Sequence, residues 1–112
     1  METNRLSQYK NMWVIVFFDL PVETSSQRKQ YARFRKDLVT DGFTMFQYSI
    51  YVRPCASQEN ADVHQKRVFN FLPDEGKVCI MTITDRQFGN IKVFDGPRKL
   101  PPKPQAIQLE IF

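Results

Sequence analysis

The rhythm of apolar and polar positions changes several times along this chain, and each change marks an element. Residues 1–11 are polar and predict a flexible N-terminal arm. Trp13 to Asp19 then reads Trp-Val-Ile-Val-Phe-Phe-Asp, nearly all apolar and partly β-branched. Such a run fits a strand in the middle of a sheet, covered on both faces. Leu20-Pro21 ends it, because proline has no N–H to give a central ladder. Thr24, with Gln27 three residues later, has the form of a capping box and predicts a helix to about Thr40, stopped at Asp41-Gly42. At about 100° per residue, Tyr31, Phe34 and Leu38 share its inner stripe. Lys29, Arg33 and Lys36 fall on the opposite side.

Phe43 to Arg53 alternates Phe46, Tyr48 and Ile50 with Gln47, Ser49 and Tyr51 and predicts a second strand, closed by Pro54. Ser57 can cap a second helix, about Gln58 to Leu72, with Ala61, Val68 and Leu72 on one stripe. Pro73-Asp74-Glu75-Gly76 is a turn. Lys77 to Thr84 is another nearly apolar strand, Asp85 to Asn90 a short turn or helical piece, and Ile91 to Phe94 a fourth strand closed by Asp95-Gly96-Pro97. The order predicts an α+β fold of βαββαβ type with one strand short or merged, the gap lying within residues 43–57. Helices then lie on one face of the sheet and leave the other to be covered. The tail offers a cover. Pro101-Pro102-Lys103-Pro104 is a stiff spacer, and Ala106 to Phe112 alternates strictly, with Ile107, Leu109 and Ile111 on one face. Such a strand can join a sheet edge in its own chain or in a second copy. The expected organisation is an arm over 1–11, a domain over 12–96, and a spacer and terminal strand over 97–112 that pairs at a dimer interface.

The 112 residues suit one domain with a thin core, for which a partner subunit would add stability. Sixteen Lys and Arg against twelve Asp and Glu give a net charge of +4, and the pI is near 9.2. That balance meets the rough threshold for nucleic-acid binders, although charge alone is weak support. Two cysteines, Cys55 and Cys79, form neither a disulfide framework nor a metal motif and read as small buried hydrophobes in a reducing compartment. The longest apolar run, Met12 to Phe18, is far short of the roughly 20 residues a membrane span needs. With no signal peptide visible after the N-terminal Met-Glu-Thr-Asn-Arg, a cytoplasmic protein with no membrane partner is expected.

Asp19 is the one charged residue in a run otherwise built for burial, and it stands at that run's end. A carboxylate there is costly unless it is solvated, paired or bound to a cation. Mg²⁺ tolerates one or two carboxylates completed by waters and substrate phosphates, so two copies of Asp19 across a two-fold axis would make a cation site. The bland alternative, favoured by residue chemistry alone, is that Asp19 caps the following turn. Lys29, Arg33 and Lys36, with Arg28 and Arg35 at the margins, either contact phosphates or form a solvated face. Gln47 and Ser49, beside Tyr48 and Tyr51, are edge, interface or substrate-positioning residues. His64 has no nucleophile at triad spacing and receives no role. The Phe-rich stripes read as core.

Four segments in order resemble one family. Trp13-Val-Ile-Val-Phe-Phe-Asp19-Leu-Pro21 is similar to the first strand of the CRISPR-associated protein 2 family, which ends in a hallmark aspartate. Arg28-Lys29-x-Tyr31-x-x-Phe34-Arg35-Lys36-x-Leu38 resembles its first helix. Gly42-Phe43-x-x-x-Gln47-Tyr48-Ser49-Ile50-Tyr51 resembles its second strand, and Thr82-x-Thr84-Asp85-x-Gln87-Phe88 the segment after its third. The Asp-Leu-Pro and Arg-Lys-x-Tyr forms look most like members from type II loci; Phe18 stands where many members have tyrosine. The resemblance implies a ferredoxin-like domain with an additional C-terminal strand, forming a homodimer packed sheet to sheet. It implies a divalent metal, Mg²⁺ or Mn²⁺, shared between Asp19 of each protomer, and metal-dependent endonuclease activity on RNA or DNA. It further implies a dimer that bridges the CRISPR-associated protein 1 integrase while double-stranded DNA, protospacer and CRISPR array, is joined; single-stranded RNA is the further nucleic-acid partner. The competing readings are a non-catalytic architectural subunit, and a toxin-like ribonuclease or RNA-binding domain of the same fold unrelated to CRISPR.

Overall fold

The computed structural model describes residues 11–96. Its elements are β1 (Met12–Asp19), α1 (Ser25–Thr40), β2 (Thr44–Gln47), β3 (Ile50–Cys55), α2 (Gln58–Asn70), β4 (Lys77–Thr84) and α3 (Asp85–Gly89). Apart from Asn11, the expected arm lies outside the described residues, as do the 97–112 spacer and strand. The four strands form one sheet in the order β2-β3-β1-β4, with every neighbouring pair antiparallel. This is the α+β, ferredoxin-like arrangement, and β1 is central as its apolar run predicts. Among the described residues no helix is long and apolar enough to cross a membrane.

Two strand assignments need correction. The single run expected over 43–53 is two strands, turned at Tyr48-Ser49, where Ser49 adopts φ +66°, so the missing strand lies within 43–57 as the βαββαβ order requires. Alternation of side chains could not reveal this, because the turn costs only two residues and both flanks keep period two. Pro54 does not close β3 but lies within it, opposite Trp13 of β1. The ladder to β2 begins only at Val52, so β3 has a single neighbour at Pro54 and a missing donor is tolerated there. The fourth strand expected over Ile91–Phe94 is irregular chain. Ile91 instead bonds back to the Phe88 carbonyl (3.2 Å) and packs its side chain near Trp13.

Capping confirms both long helices. The Thr24 hydroxyl accepts from the Gln27 N–H (3.0 Å), and the Gln27 side chain accepts from the Thr24 N–H (3.0 Å). Ser57 caps α2 through the Asn60 N–H (3.1 Å). At the end of α1, Phe43 N–H reaches the Leu38 carbonyl and Gly42 N–H the Val39 carbonyl, the paired bonds of a Schellman motif. Gly42 has φ +96°, a conformation glycine adopts without penalty. α3 starts with a second capping box, Thr84 with Gln87.

The faces of β1 separate the core into two parts. Val14, Val16 and Phe18 pack beneath α1 and α2 with Phe34, Leu38, Tyr51, Ala61 and Val68. Each buried Val, Leu and Phe side chain in this layer contributes about 1.5–3 kcal/mol through burial, so the layer carries most of the stability. Trp13 and Val52 belong to a smaller cluster on the opposite face, covered by Phe88 of α3, whose ring stacks on Trp13 at 3.8 Å and 8°. Trp13 Nε1–H also donates to Asp85 (2.7 Å). Cover on that second face stops there. Along β1, Trp13 is buried, Ile15 half-buried, and Phe17 38% exposed. So β1 is covered on both faces only at its N-terminal end. Leu72, expected on the inner stripe of α2, is 38% exposed, and His64 is buried in the helix instead.

Candidate functional site

Strand alternation sends Trp13, Ile15, Phe17 and Asp19 to the same face of β1, away from the long helices. Asp19 therefore ends a stripe that runs from the covered end of the open face to its bare end. Its register partner is Lys77, the first residue of β4. Both are exposed. Among the described residues the Asp19 carboxylate has no hydrogen bond and no ion pair, with Lys77 or with any other group. The turn-capping alternative thus has no bond to support it. The turn after β1 is held by Arg28, whose Nη1 donates to the Val22 carbonyl (3.1 Å) and the Glu23 carbonyl (3.0 Å).

A shallow, mostly apolar depression surrounds Asp19, lined by Phe17, Tyr48, Ser49, Ile50, Lys77 and Cys79 among others. Two backbone features build it. The Phe18 N–H donates to the Ser49 carbonyl (3.1 Å), so the β2–β3 turn is fastened to the residue before Asp19. On the other side, Gly76 (φ +95°) lies so close that a Cβ there would stand 2.8 Å from the Asp19 carbonyl oxygen and 2.7 Å from Leu20 Cδ2. The sequence marks Gly76 only as a turn residue. Its approach to Asp19 depends on strand order, which no local pattern encodes. Lys77 was missed for the same reason.

Metal binding can be tested against these donors. Among the described residues no group of three or more His, Cys, Asp or Glu side chains converges. Among the described residues, one protomer offers a single unpaired carboxylate in this depression, with two oxygens and open access to solvent. That donor set fits a weakly held Mg²⁺ or Mn²⁺ that keeps waters and takes further oxygens from a phosphate or a second carboxylate. It does not fit a closed, all-protein metal cage.

The five basic positions divide. Lys29, Arg33 and Lys36 are exposed on α1, and among the described residues they make no ion pair or hydrogen bond. Arg28 is committed to the turn carbonyls. Arg35 Nε–H donates to the buried Tyr51 hydroxyl (2.8 Å), and that bond raises the Arg35 pKa further. Beside it, burial raises the Tyr31 pKa, reinforced by hydrogen bonding to Tyr48 and opposed by Ser49. Tyr31 and Tyr48 rings lie 6.5 Å apart, and Tyr48 is 76% exposed. Gln47 is exposed at the end of β2.

His64 has a structural partner. Its Nδ1 lies 2.7 Å from Asp41 Oδ2, and Arg67 donates to Asp41 Oδ1 (2.9 Å). Arg53 Nε–H donates to the Asp41 carbonyl (2.7 Å). The set ties the end of α1 to α2 and β3 and lies on the helical side of the sheet.

Comparison with known proteins agrees with this architecture. The family model for CRISPR associated protein Cas2 matches residues 12–91. A protein of Flavobacterium psychrophilum, named CRISPR-associated endoribonuclease Cas2, is 53% identical over 108 residues, spanning 96% of this chain and 94% of its own. One of the same name from Parvibaculum lavamentivorans is 56% identical over 101 residues, 90% of this chain and all of its own. A crystal structure of a Cas2 protein superposes with a TM-score of 0.54 at 20% identity, covering 83% of this chain and 94% of that one, which supports the fold. With the matched segment running from the start of β1 through α3 to Ile91, the chain belongs to the CRISPR-associated protein Cas2 family.

Proposed function

We propose that this chain is a cytoplasmic homodimeric subunit of CRISPR spacer acquisition that binds and bridges DNA for the CRISPR-associated protein 1 integrase and hydrolyses phosphodiesters at Asp19. The hydrolytic reading has two supports: the Flavobacterium and Parvibaculum relatives carry an endoribonuclease name, and the Asp19 carboxylate, at the end of a central strand, has no partner among the described residues. The latter observation carries the proposal. A carboxylate that no described residue bonds, at the bare end of an apolar sheet face, is available for chemistry.

Hydrolysis adds a water oxygen to phosphorus and breaks one P–O ester bond, the leaving oxygen taking a proton. Asp19 would accept a hydrogen bond from the attacking water, and Lys77, its register partner, would meet a non-bridging phosphate oxygen. Phe17, Ile50 and Cys79 supply an apolar floor on which these charged groups interact more strongly than in bulk water. Asp19, with Asp19 of the partner subunit, would hold a Mg²⁺ or Mn²⁺ ion that neutralises phosphate charge and acidifies bound water. A second copy packed on the open face would cover Phe17 and Met81, which are 38% and 44% exposed.

The test is Asp19→Asn, assayed on single-stranded RNA and on duplex DNA with and without Mg²⁺ or Mn²⁺. Cleavage should fall by at least about 100-fold. Thermal stability should shift by no more than about 0.5 kcal/mol, since the carboxylate is exposed and unbonded. Unchanged cleavage overturns the hydrolytic reading. Spacer integration that survives the substitution assigns the biological role to DNA bridging, for which the exposed cations Lys29, Arg33 and Lys36 are the specific support.

A further inference from the structure

Asp19 faces one cation across the β1–β4 ladder, and the fold fixes where that cation starts. Lys77 is the register partner of Asp19. Side chains directly opposite each other in an antiparallel pair leave the same face, with Cβ atoms about 4.5–5.5 Å apart. The backbone is constrained a second time at Gly76, the residue before Lys77, where a Cβ would stand 2.8 Å from the Asp19 carbonyl oxygen. Among the described residues lining the depression, Asp19 is the one anion and Lys77 the one cation. Charged groups of the flanking turns are bonded elsewhere: Glu75 accepts from Gln27 Nε2 (3.2 Å), and Arg28 holds the carbonyls of Val22 and Glu23. Even so, the ion pairs among the described residues are those of Asp41, and none joins Lys77 to Asp19.

An ammonium on this face repels any divalent cation drawn to Asp19. The repulsion between a single and a double positive charge roughly 6 Å apart is worth about a factor of ten in affinity even at the dielectric constant of water. Lysine also carries its charge on a long, rotatable stem, so the ammonium can turn toward an anion that arrives in the depression. We infer that Lys77 is a charge guard on the Asp19 cation site. It holds divalent-ion affinity down until an anionic phosphate engages its ammonium, so that ion and substrate load together. Coupling of this kind is reciprocal: a phosphate that occupies Lys77 strengthens ion binding by the same factor that the ion strengthens phosphate binding. The inference rests on the reading of Asp19 as the cation-holding acid and deepens it by naming how that site is regulated.

The test measures Mn²⁺ affinity through loss of the free-ion electron paramagnetic resonance signal, which needs no turnover. Wild-type protein, Lys77→Met, Lys77→Arg and the double variant Asp19→Asn with Lys77→Met are titrated at low ionic strength. Lys77→Met should bind Mn²⁺ about 10-fold more tightly than wild type, and Lys77→Arg, which keeps the charge, should match wild type. The double variant should lose the gain. In about 0.5 M KCl the difference between wild type and Lys77→Met should shrink, because the screening length falls to roughly 4 Å. Excess dimethyl phosphate, a minimal phosphodiester anion, should tighten Mn²⁺ binding by wild type and leave Lys77→Met unchanged. Equal or weaker Mn²⁺ binding by Lys77→Met overturns the guard, as does a Lys77→Arg variant as tight as Lys77→Met. A dimethyl phosphate effect of equal size in both proteins overturns the coupling to substrate. Should Lys77→Met alter assembly in light scattering, Lys77→Gln carries the same expectations. Cleavage that persists in Asp19→Asn defeats the hydrolytic reading alone, since the guard is judged on ion affinity. Loss of that cleavage with unchanged Mn²⁺ affinity in Lys77→Met defeats the guard alone.

Discussion

At the scale of single residues, two neighbours decide what Asp19 can do. Lys77 stands in register with it and forms no ion pair, so neither charge is spent on the other. Gly76 presses against its backbone, and only a residue without Cβ fits there. Gly76→Ala combines a strained φ of +95° with a contact to the Asp19 carbonyl that real Cβ atoms do not make. It should destabilise the protein by about 1–3 kcal/mol in chemical denaturation and lower Asp19-dependent cleavage together with stability. Wild-type stability in Gly76→Ala would show that this close approach does not constrain residue 76. The cysteines are placed differently: burial raises the Cys55 pKa, which makes its thiolate scarce, and Cys79 is half-buried on the open face.

At the scale of elements, the helical layer is fastened by one buried acid. Asp41 ends α1, and its side chain is 8% exposed while bonded to buried His64 and to Arg67. Replacing Asp41 with Ala leaves the His64 ring without its partner in an apolar setting. The expected cost is about 3 kcal/mol, read as a lower denaturation midpoint. Arg67→Ala should cost less than about 1 kcal/mol, because that side chain is 59% exposed. Similar losses in the two variants would show that the histidine contact carries no special weight. The network also explains why a histidine with no sequence-level partner is buried: Asp41 reaches it across 23 positions.

For the whole molecule, the open sheet face and the basic helix face point in different directions and call for different partners. Lys29, Arg33 and Lys36 keep their charges free among the described residues. Changed together to Ala, they should weaken duplex DNA binding and reduce the slope of log affinity against log salt by about 2–3 for each protomer. An unchanged slope removes this face from DNA bridging. On the other side, Met81 is 44% exposed on the open face. If two copies pack there, Met81→Glu buries an unpaired charge and should yield monomers by light scattering without unfolding the chain. A Met81→Glu dimer as tight as wild type would place the interface elsewhere.

What could be read from residue order was whatever rests on local chemistry. The apolar run of β1, the capping box at Thr24, the cap at Ser57, the stop at Asp41-Gly42 and the unusual Asp19 all follow from propensities and spacings within about one turn or strand. Four short segments in order were also enough for the family. What the tertiary structure alone decided depends on pairing between distant parts. The break at Tyr48-Ser49 needed a strained φ that only packing enforces, and the irregular path of Ile91–Phe94 follows from Trp13 taking Phe88 and Ile91 as its cover. Lys77, Gly76 and Tyr48 come to Asp19 through strand order and register, which bring together residues tens of positions apart. Such closure is set by the summed burial of the whole sheet, and no local stretch of sequence contains that sum.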